Sequence, residues 1–308
     1  MTTLTPSKRI LLFGMRCAFS APPLEALVDA GHDIVGVVLP GPPFGPPVLS
    51  QPVIPTLRLS AADQPASKVD NLAARASAPI LAIGNLRCSE AITTIRNLEP
   101  DLIAVACFPS LLPPEILQIP RLGSVNVHPS LLPRGRGPEP LFWTVRRGES
   151  ETGTTIHLLN ERFDAGPVLI QDRIPIPDGV RLPDLEFQLA ELGGTLLLQA
   201  IDQLASSRTV PVPQDDAEAT NAPIPCQADY EVPTDLPARW AYNFVRAVAP
   251  VTDRLNVVLM ATKEDISITD AVSYSEDEVL DVPLKLTENR AVIGFQPGRV
   301  TFALLQTD

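Results

Sequence analysis

From Gly123 to Gly137 the chain reads Gly-Ser-Val-Asn-Val-His-Pro-Ser-Leu-Leu-Pro-Arg-Gly-Arg-Gly. In a strand alternate side chains share a face, so Ser124, Asn126 and His128 point one way and Val125 and Val127 the other. An amide beside an imidazole offers hydrogen-bond donation and proton transfer. On a buried parallel sheet such groups are costly unless they meet partners. Pro129 ends the strand and leaves His128 at the carboxyl edge, where open α/β sheets carry their binding crevice. A lone histidine there reads as a satisfied core group. Two polar residues on one face, followed by a Pro/Gly-rich loop, favour a functional site. A second stretch, Thr155 to Gly166, carries His157 and ends Asp164-Ala-Gly between two apolar runs. Taken alone, Asp before Ala-Gly is turn chemistry.

These groups need a scaffold, and the apolar pattern supplies one. Arg9–Phe13 reads as a strand, Pro22–Ala30 as a helix stopped by Gly31, and Asp33–Leu39 as a second strand. Strand, helix and strand at this spacing make a βαβ unit in a parallel sheet covered on both faces. Pro40–Pro55 reads as an extended loop. Helices follow at Lys68–Ser77 and Ser89–Leu98, with strands at Pro79–Ile83, Leu102–Cys107 and Ser124–His128. A strand pair, Gly153–Leu159 and Pro167–Ile170, precedes a long helix, Leu182–Ser206, interrupted at Gly193-Gly194. The expected fold class is α/β, a doubly wound, Rossmann-like domain over residues 1–206. Residues 207–226 are proline-rich and acidic, a linker. Residues 227–308 open with a helix, Leu236–Val248, and continue in short β runs. They make a small β-rich domain, either a reduced OB-like barrel or an open sheet.

Composition removes whole classes of function. The 308 residues are 45% hydrophobic and 19% charged, a globular balance. No apolar stretch approaches the roughly 20 residues of a membrane-crossing helix. The net charge of −12 is uneven: 16 basic and 19 acidic residues up to 200, then 8 and 17 from 201 to 308. Proteins that grip nucleic acid rely on Lys and Arg against phosphate, and this distribution opposes that. Four scattered cysteines without a CxxC pair argue against a disulfide framework and a cysteine zinc site. The expected compartment is the cytoplasm.

The motifs together resemble the formyltransferases that use 10-formyltetrahydrofolate. The resemblance rests on Leu111-Leu-Pro-Pro-Glu-Ile-Leu117, Asn126-Val-His-Pro-Ser-Leu-Leu-Pro133 and Asp164-Ala-Gly-Pro-Val168, with Pro100-Asp-Leu-Ile103 and Phe13-Gly14. It spans residues 8–205. It implies that Asn126, His128 and Asp164 are catalytic, acting without a metal. Asn126 and a His128 imidazolium would donate to the oxygen of the tetrahedral intermediate. Asp164 would raise the His128 pKa and orient a water or accept the amine's proton. Backbone groups at Ser110 and Leu112, and the loop from His157 to Asp164 with Asn160, would face the pterin of the folate donor. For His157 a structural role is equally open. Arg134 and Arg136 read as a solvated loop, or else flank an anionic substrate.

Residues Asp229-Tyr230, Trp240 to Ala249 and Leu304-Leu305-Gln306 are similar to the C-terminal part of methionyl-tRNA formyltransferases. Two departures bear on the acceptor amine. Gly14-Met-Arg-Cys-Ala-Phe-Ser20 lacks the glycine-rich phosphate cradle expected for glycinamide ribonucleotide. Pro40–Ser50 holds no Lys or Arg where a tRNA enzyme would place a basic loop. Layout therefore points to a tRNA enzyme, and charge to a small amine such as an amino sugar nucleotide. A non-catalytic folate-binding or protein-interaction module is the reading from another class.

Overall fold

The computed structural model describes residues 6–42, 47–50, 67–206, 210–253 and 255–304. Of the expected segments, 43–46 and 51–55 of the proline-rich loop, 207–209 of the linker and 305–308 lie outside the described residues. The apolar runs form β1 (Arg9–Gly14), α1 (Ala21–Asp29), β2 (Asp33–Pro40), β3 (Val48–Ser50), α2 (Lys68–Arg75), β4 (Ile80–Ile83) and α3 (Ser89–Asn97). Next come β5 (Leu102–Ala106), α4 (Pro114–Leu117), β6 (Ser124–His128), α5 (Pro140–Arg146), β7 (Glu151–Leu158), β8 (Val168–Pro175) and α6 (Leu182–Ala205).

One sheet takes the order β3-β4-β2-β1-β5-β6-β7-β8. The chain leaves β1 outward through β2 and β4, then crosses back to β5, so the order reverses between β1 and β5. β1, β2, β4, β5 and β6 pair in parallel, and β7 runs antiparallel to β6. Their near-continuous apolar runs suit strands buried on both faces: Ile10 to Phe13 and Leu102 to Ala106 are buried. The whole of Pro40–Pro55 was expected as loop, yet β3 within it pairs antiparallel with β4. A three-residue run is too short to show a periodicity of its own.

The expected interruption of the long helix does not occur. α6 runs unbroken through Gly193-Gly194. The glycines serve close approach: a Cβ on Gly193 would lie 2.5 Å from Val127 Cγ1 on β6, and one on Gly194 would lie 3.0 Å from Ala26 Cβ on α1. The helix thus lies directly against the strand that carries Asn126 and His128.

Contacts group the chain into two compact units, one of residues 1–137, 153–173 and 186–221, the other of 138–152, 174–185 and 222–308. The segment read as a linker is tied into the first unit. Val212 bridges to Val168 and Asn221 to Arg136. In the second unit β9 (Glu231–Pro233), α7 (Ala238–Val248), β10 (Asn256–Leu259), β11 (Glu264–Ser275), β12 (Leu284–Leu286), β13 (Arg290–Gly294) and β14 (Arg299–Leu304) follow in sequence. The strands order as β12-β13-β14-β11-β10-β9, a sheet with two ends rather than a closed barrel among the described residues. Its core centres on Phe244 and Val248 of α7 with Ile293, Val300 and Phe302.

Gly193→Ala should lower unfolding stability by about 1–3 kcal/mol, because its Cβ overpacks a buried valine. Urea denaturation measures this, and the exposed Glu191→Ala should stay within about 0.5 kcal/mol of the parent.

Candidate active site

Strand geometry delivers the first half of the site. In the β6–β7 ladder Asn126 is opposite His157 and His128 is opposite Thr155. The side chains of directly opposed residues approach closely on one face. The loop after β7 returns to place Asp164 beside them. Asp164 takes a left-handed conformation, φ 51°, a region Asp tolerates better than most residues. Gly166 is required by close approach: a Cβ there would lie 1.7 Å from the Leu158 carbonyl oxygen.

Three nitrogens converge on one carboxylate oxygen. Asn126 Nδ2 donates to Asp164 Oδ1 at 3.2 Å, with His128 Nδ1 at 3.5 Å and His157 Nε2 at 3.7 Å from the same atom. The other oxygen, Oδ2, accepts the Gly137 backbone N–H at 2.9 Å. His128, Asp164 and His157 are 4%, 8% and 0% exposed, and Asn126 is half-buried, the open member of the cluster.

Carbonyl partners assign both imidazole tautomers, since a carbonyl only accepts. His128 Nε2–H donates to the Gly135 carbonyl at 2.8 Å, so Nδ1 is the position that faces Asp164. His157 Nδ1–H donates to the Leu158 carbonyl at 2.9 Å, which leaves Nε2 to accept the second Asn126 N–H at 3.3 Å.

Charge in the cluster differs from the expectation of a cationic His128. Burial pushes the His128 pKa below its ordinary 6.5, against the opposing pull of Asp164 and the Gly135 carbonyl. The resting ring is therefore neutral at physiological pH. Burial also acts to raise Asp164, but the attraction it gains once a facing imidazole is protonated, with the Gly137 N–H, outweighs burial and moves the carboxyl below its usual range. The pair rests as carboxylate and neutral imidazole, ready to take up one proton at Nδ1.

A strap from the expected linker supports the cluster from behind. Gln214 Nε2 donates to the backbone carbonyls of Asp164 at 2.8 Å and Gly166 at 2.7 Å. Its Oε1 accepts from Arg136 Nε at 3.0 Å and Nη2 at 2.8 Å. Arg136 Nη1 reaches Asp216 at 2.8 Å, and Arg162 reaches the same carboxylate at 3.0 Å. Thr220 accepts the Gly135 N–H on its hydroxyl and the Arg136 N–H on its carbonyl, both at 2.9 Å. The backbone around 135–137, which touches both His128 and Asp164, is thereby fixed. Arg136 is buried in this network rather than solvated, whereas Arg134 is exposed. The sequence reading missed Gln214, Thr220, Gly135 and Gly137, which act through or upon backbone atoms.

The other expected donor-site residues do not join the cluster. Ser110 is exposed, and the Leu112 side chain is buried in the apolar cluster with Phe13 and Val105. Asn160 Oδ1 accepts the Arg162 N–H at 2.9 Å, a local turn bond. Among the described residues no group of three or more His, Cys, Asp or Glu could hold a metal ion, and no helix is long and apolar enough to cross a membrane.

A formyl transferase family model matches residues 25–201. The chain belongs to the formyltransferase family. The methionyl-tRNA formyltransferase of Pelobacter propionicus is 36% identical over 243 residues, covering 79% of this chain and 72% of that protein. That of a Synechococcus strain is 34% identical over 245 residues with the same coverage. Among solved structures, an N-formyltransferase from Helicobacter canadensis, in complex with folinic acid and dTDP-3-aminofucose, superposes with a TM-score of 0.64 at 15% identity. That match covers 96% of this chain and 98% of that one and speaks for the fold. The formyltransferase class and Rossmann-like architecture expected from the motifs are therefore met, together with the β-rich C-terminal part.

The unfolded chain takes up the His128 proton at higher pH than the folded one, so this group's contribution is full above about 6.5 and is lost as pH falls below it. Asp164, also depressed, loses its contribution at still lower pH. The urea midpoint should fall as pH drops below about 6.5, and His128→Gln should flatten part of that slope, the remainder belonging to His32, which burial also lowers.

Proposed function

We propose that Asn126, His128 and Asp164 transfer the formyl group of 10-formyltetrahydrofolate to a primary amine. The carrying observation is the convergence of three nitrogens on Asp164 Oδ1. A neutral amine adds to the formyl carbon, and negative charge develops on the formyl oxygen. Asn126 is the half-buried donor, and its bonds of 3.2 and 3.3 Å are long, so one N–H turns to that oxygen at small cost. The nitrogen that has added must lose a proton. His128 Nδ1 takes it directly or through a water, and Asp164 stabilises the imidazolium formed. The same proton passes to the departing folate nitrogen as the tetrahedral intermediate collapses.

In this reading residues 1–206 hold the catalytic machinery, 207–226 link it to residues 227–308, and the enzyme works in the cytoplasm. The pterin lies against the backbone of Ser110 and Leu112 and the loop from His157 to Asp164, with Asn160 at its turn. His157, fully buried, orients Asn126 from beneath.

Two observations divide the choice of acceptor. The named relatives act on methionyl-tRNA, which favours an aminoacyl-tRNA amine. The 8 basic against 17 acidic residues after position 200, and the absence of Lys and Arg from Pro40–Ser50, favour a small amine such as an amino sugar nucleotide.

Asp164→Asn should reduce tetrahydrofolate release by at least about 100-fold with the fold intact by circular dichroism, and Asn126→Ala by about 100- to 1,000-fold. Rates within a few-fold of the parent would refute these roles. An acceptor panel decides the substrate: turnover of charged initiator tRNA with a steep salt dependence selects the first class, and turnover confined to small amines the second.

A further inference from the structure

A separate set of reactive groups lies where β1 and β5 end. Gly14 and Ala106 are register partners there, so the loops carrying Met15, Cys17 and Cys107 begin side by side at the point where the strand order reverses. Ser20 ties the two loops together. Its fully buried hydroxyl donates to the Ala106 carbonyl at 2.7 Å, accepts the Met15 N–H at 3.0 Å and lies 3.3 Å from Cys17 Sγ. Cys107, exposed and in a left-handed conformation of φ 59°, directs its thiol to Met15 Sδ at 3.9 Å, against the loop that carries Cys17.

This setting favours a thiolate. The neighbouring Cys107 thiol favours the charged form of Cys17, and against the opposing push of burial the Ser20 hydroxyl and the Ser20 and Phe19 N–H groups add to it. Together they bring Cys17 down to about 5. A low-pKa, partly exposed thiol with a second thiol on the adjoining loop has the two parts of a reversible oxidation site.

We propose that Cys17 and Cys107 are a dithiol modification site oxidised by hydroperoxides. The Cys17 sulfur attacks one peroxide oxygen and the O–O bond breaks. Cys17 becomes a sulfenic acid, and the other oxygen leaves with a proton as water or alcohol. The Cys107 sulfur then attacks the Cys17 sulfur, the S–S bond forms, and the sulfenic hydroxyl leaves as water with the Cys107 proton. Two thiols give up two electrons and two protons to one peroxide. The product cross-links the loop after β1 to the loop after β5.

The test treats the full chain with hydrogen peroxide, blocks remaining thiols with iodoacetamide and maps the peptides. The site predicts a disulfide-linked pair of peptides carrying Cys17 and Cys107, while Cys88 and Cys226 stay alkylated. In Cys107→Ala the Cys17 sulfenic acid should persist and be captured by dimedone. In Cys17→Ala, Cys107 should remain a thiol. At pH 6, alkylation of Cys17 should be about tenfold faster than that of a small ordinary thiol: thiolate is roughly 300-fold more populated but roughly 40-fold less nucleophilic. Oxidation of Cys88 or Cys226 at the same peroxide dose with Cys17 and Cys107 intact would overturn the proposal. So would Cys17 paired with any cysteine other than Cys107. None of these readouts depends on formyl transfer.

Discussion

A carboxylate sits almost out of reach of water at Asp164, and the chain around it is organised to keep that charge tolerable. An unpaired buried carboxylate would cost several kcal/mol or take up a proton. Here Oδ1 accepts an Asn126 N–H and Oδ2 the Gly137 N–H, and the facing His128 nitrogen adds a partner when it takes up a proton. The left-handed turn, the glycine two residues on and the Gln214 strap all serve that placement. Each reaction role proposed for the cluster follows from this charge. It orients the amide, and it makes the facing nitrogen of His128 the natural place for an arriving proton.

The same buried setting explains why His128 rests neutral. Desolvation disfavours the imidazolium, and Asp164 opposes it without reversing it. A ring kept cationic would have had no vacancy for the amine's proton. A ring with no carboxylate beside it would have paid the full cost of the charge. The arrangement lies between these limits, as the proposed proton transfer requires.

Much of this was legible in the residues and some was not, for physical reasons. Alternation along Ser124–His128 is a strict period of two, so the shared face of Asn126 and His128 could be read directly, and Pro129 marked the edge. Asp164 alone read as turn chemistry; only the motifs in combination raised it, because the contact spans 38 positions. Gln214 gave no signal. Its partners are main-chain carbonyls, which every residue has, and its surroundings are proline-rich and acidic like a linker. Arg136 was misread because its side-chain acceptors lie 78 and 80 positions away. Gly193-Gly194 suggested a break on propensity, but closeness to Val127 is a tertiary demand that propensity does not encode.

The most direct test is nitrogen NMR of the imidazole rings, simplified by a chain with only three histidines. His128 should show the Nε2–H tautomer, neutral at pH 7, and should titrate below 6.5. A doubly protonated His128 ring at neutral pH, or a proton on Nδ1 with Nε2 bare, would contradict the account.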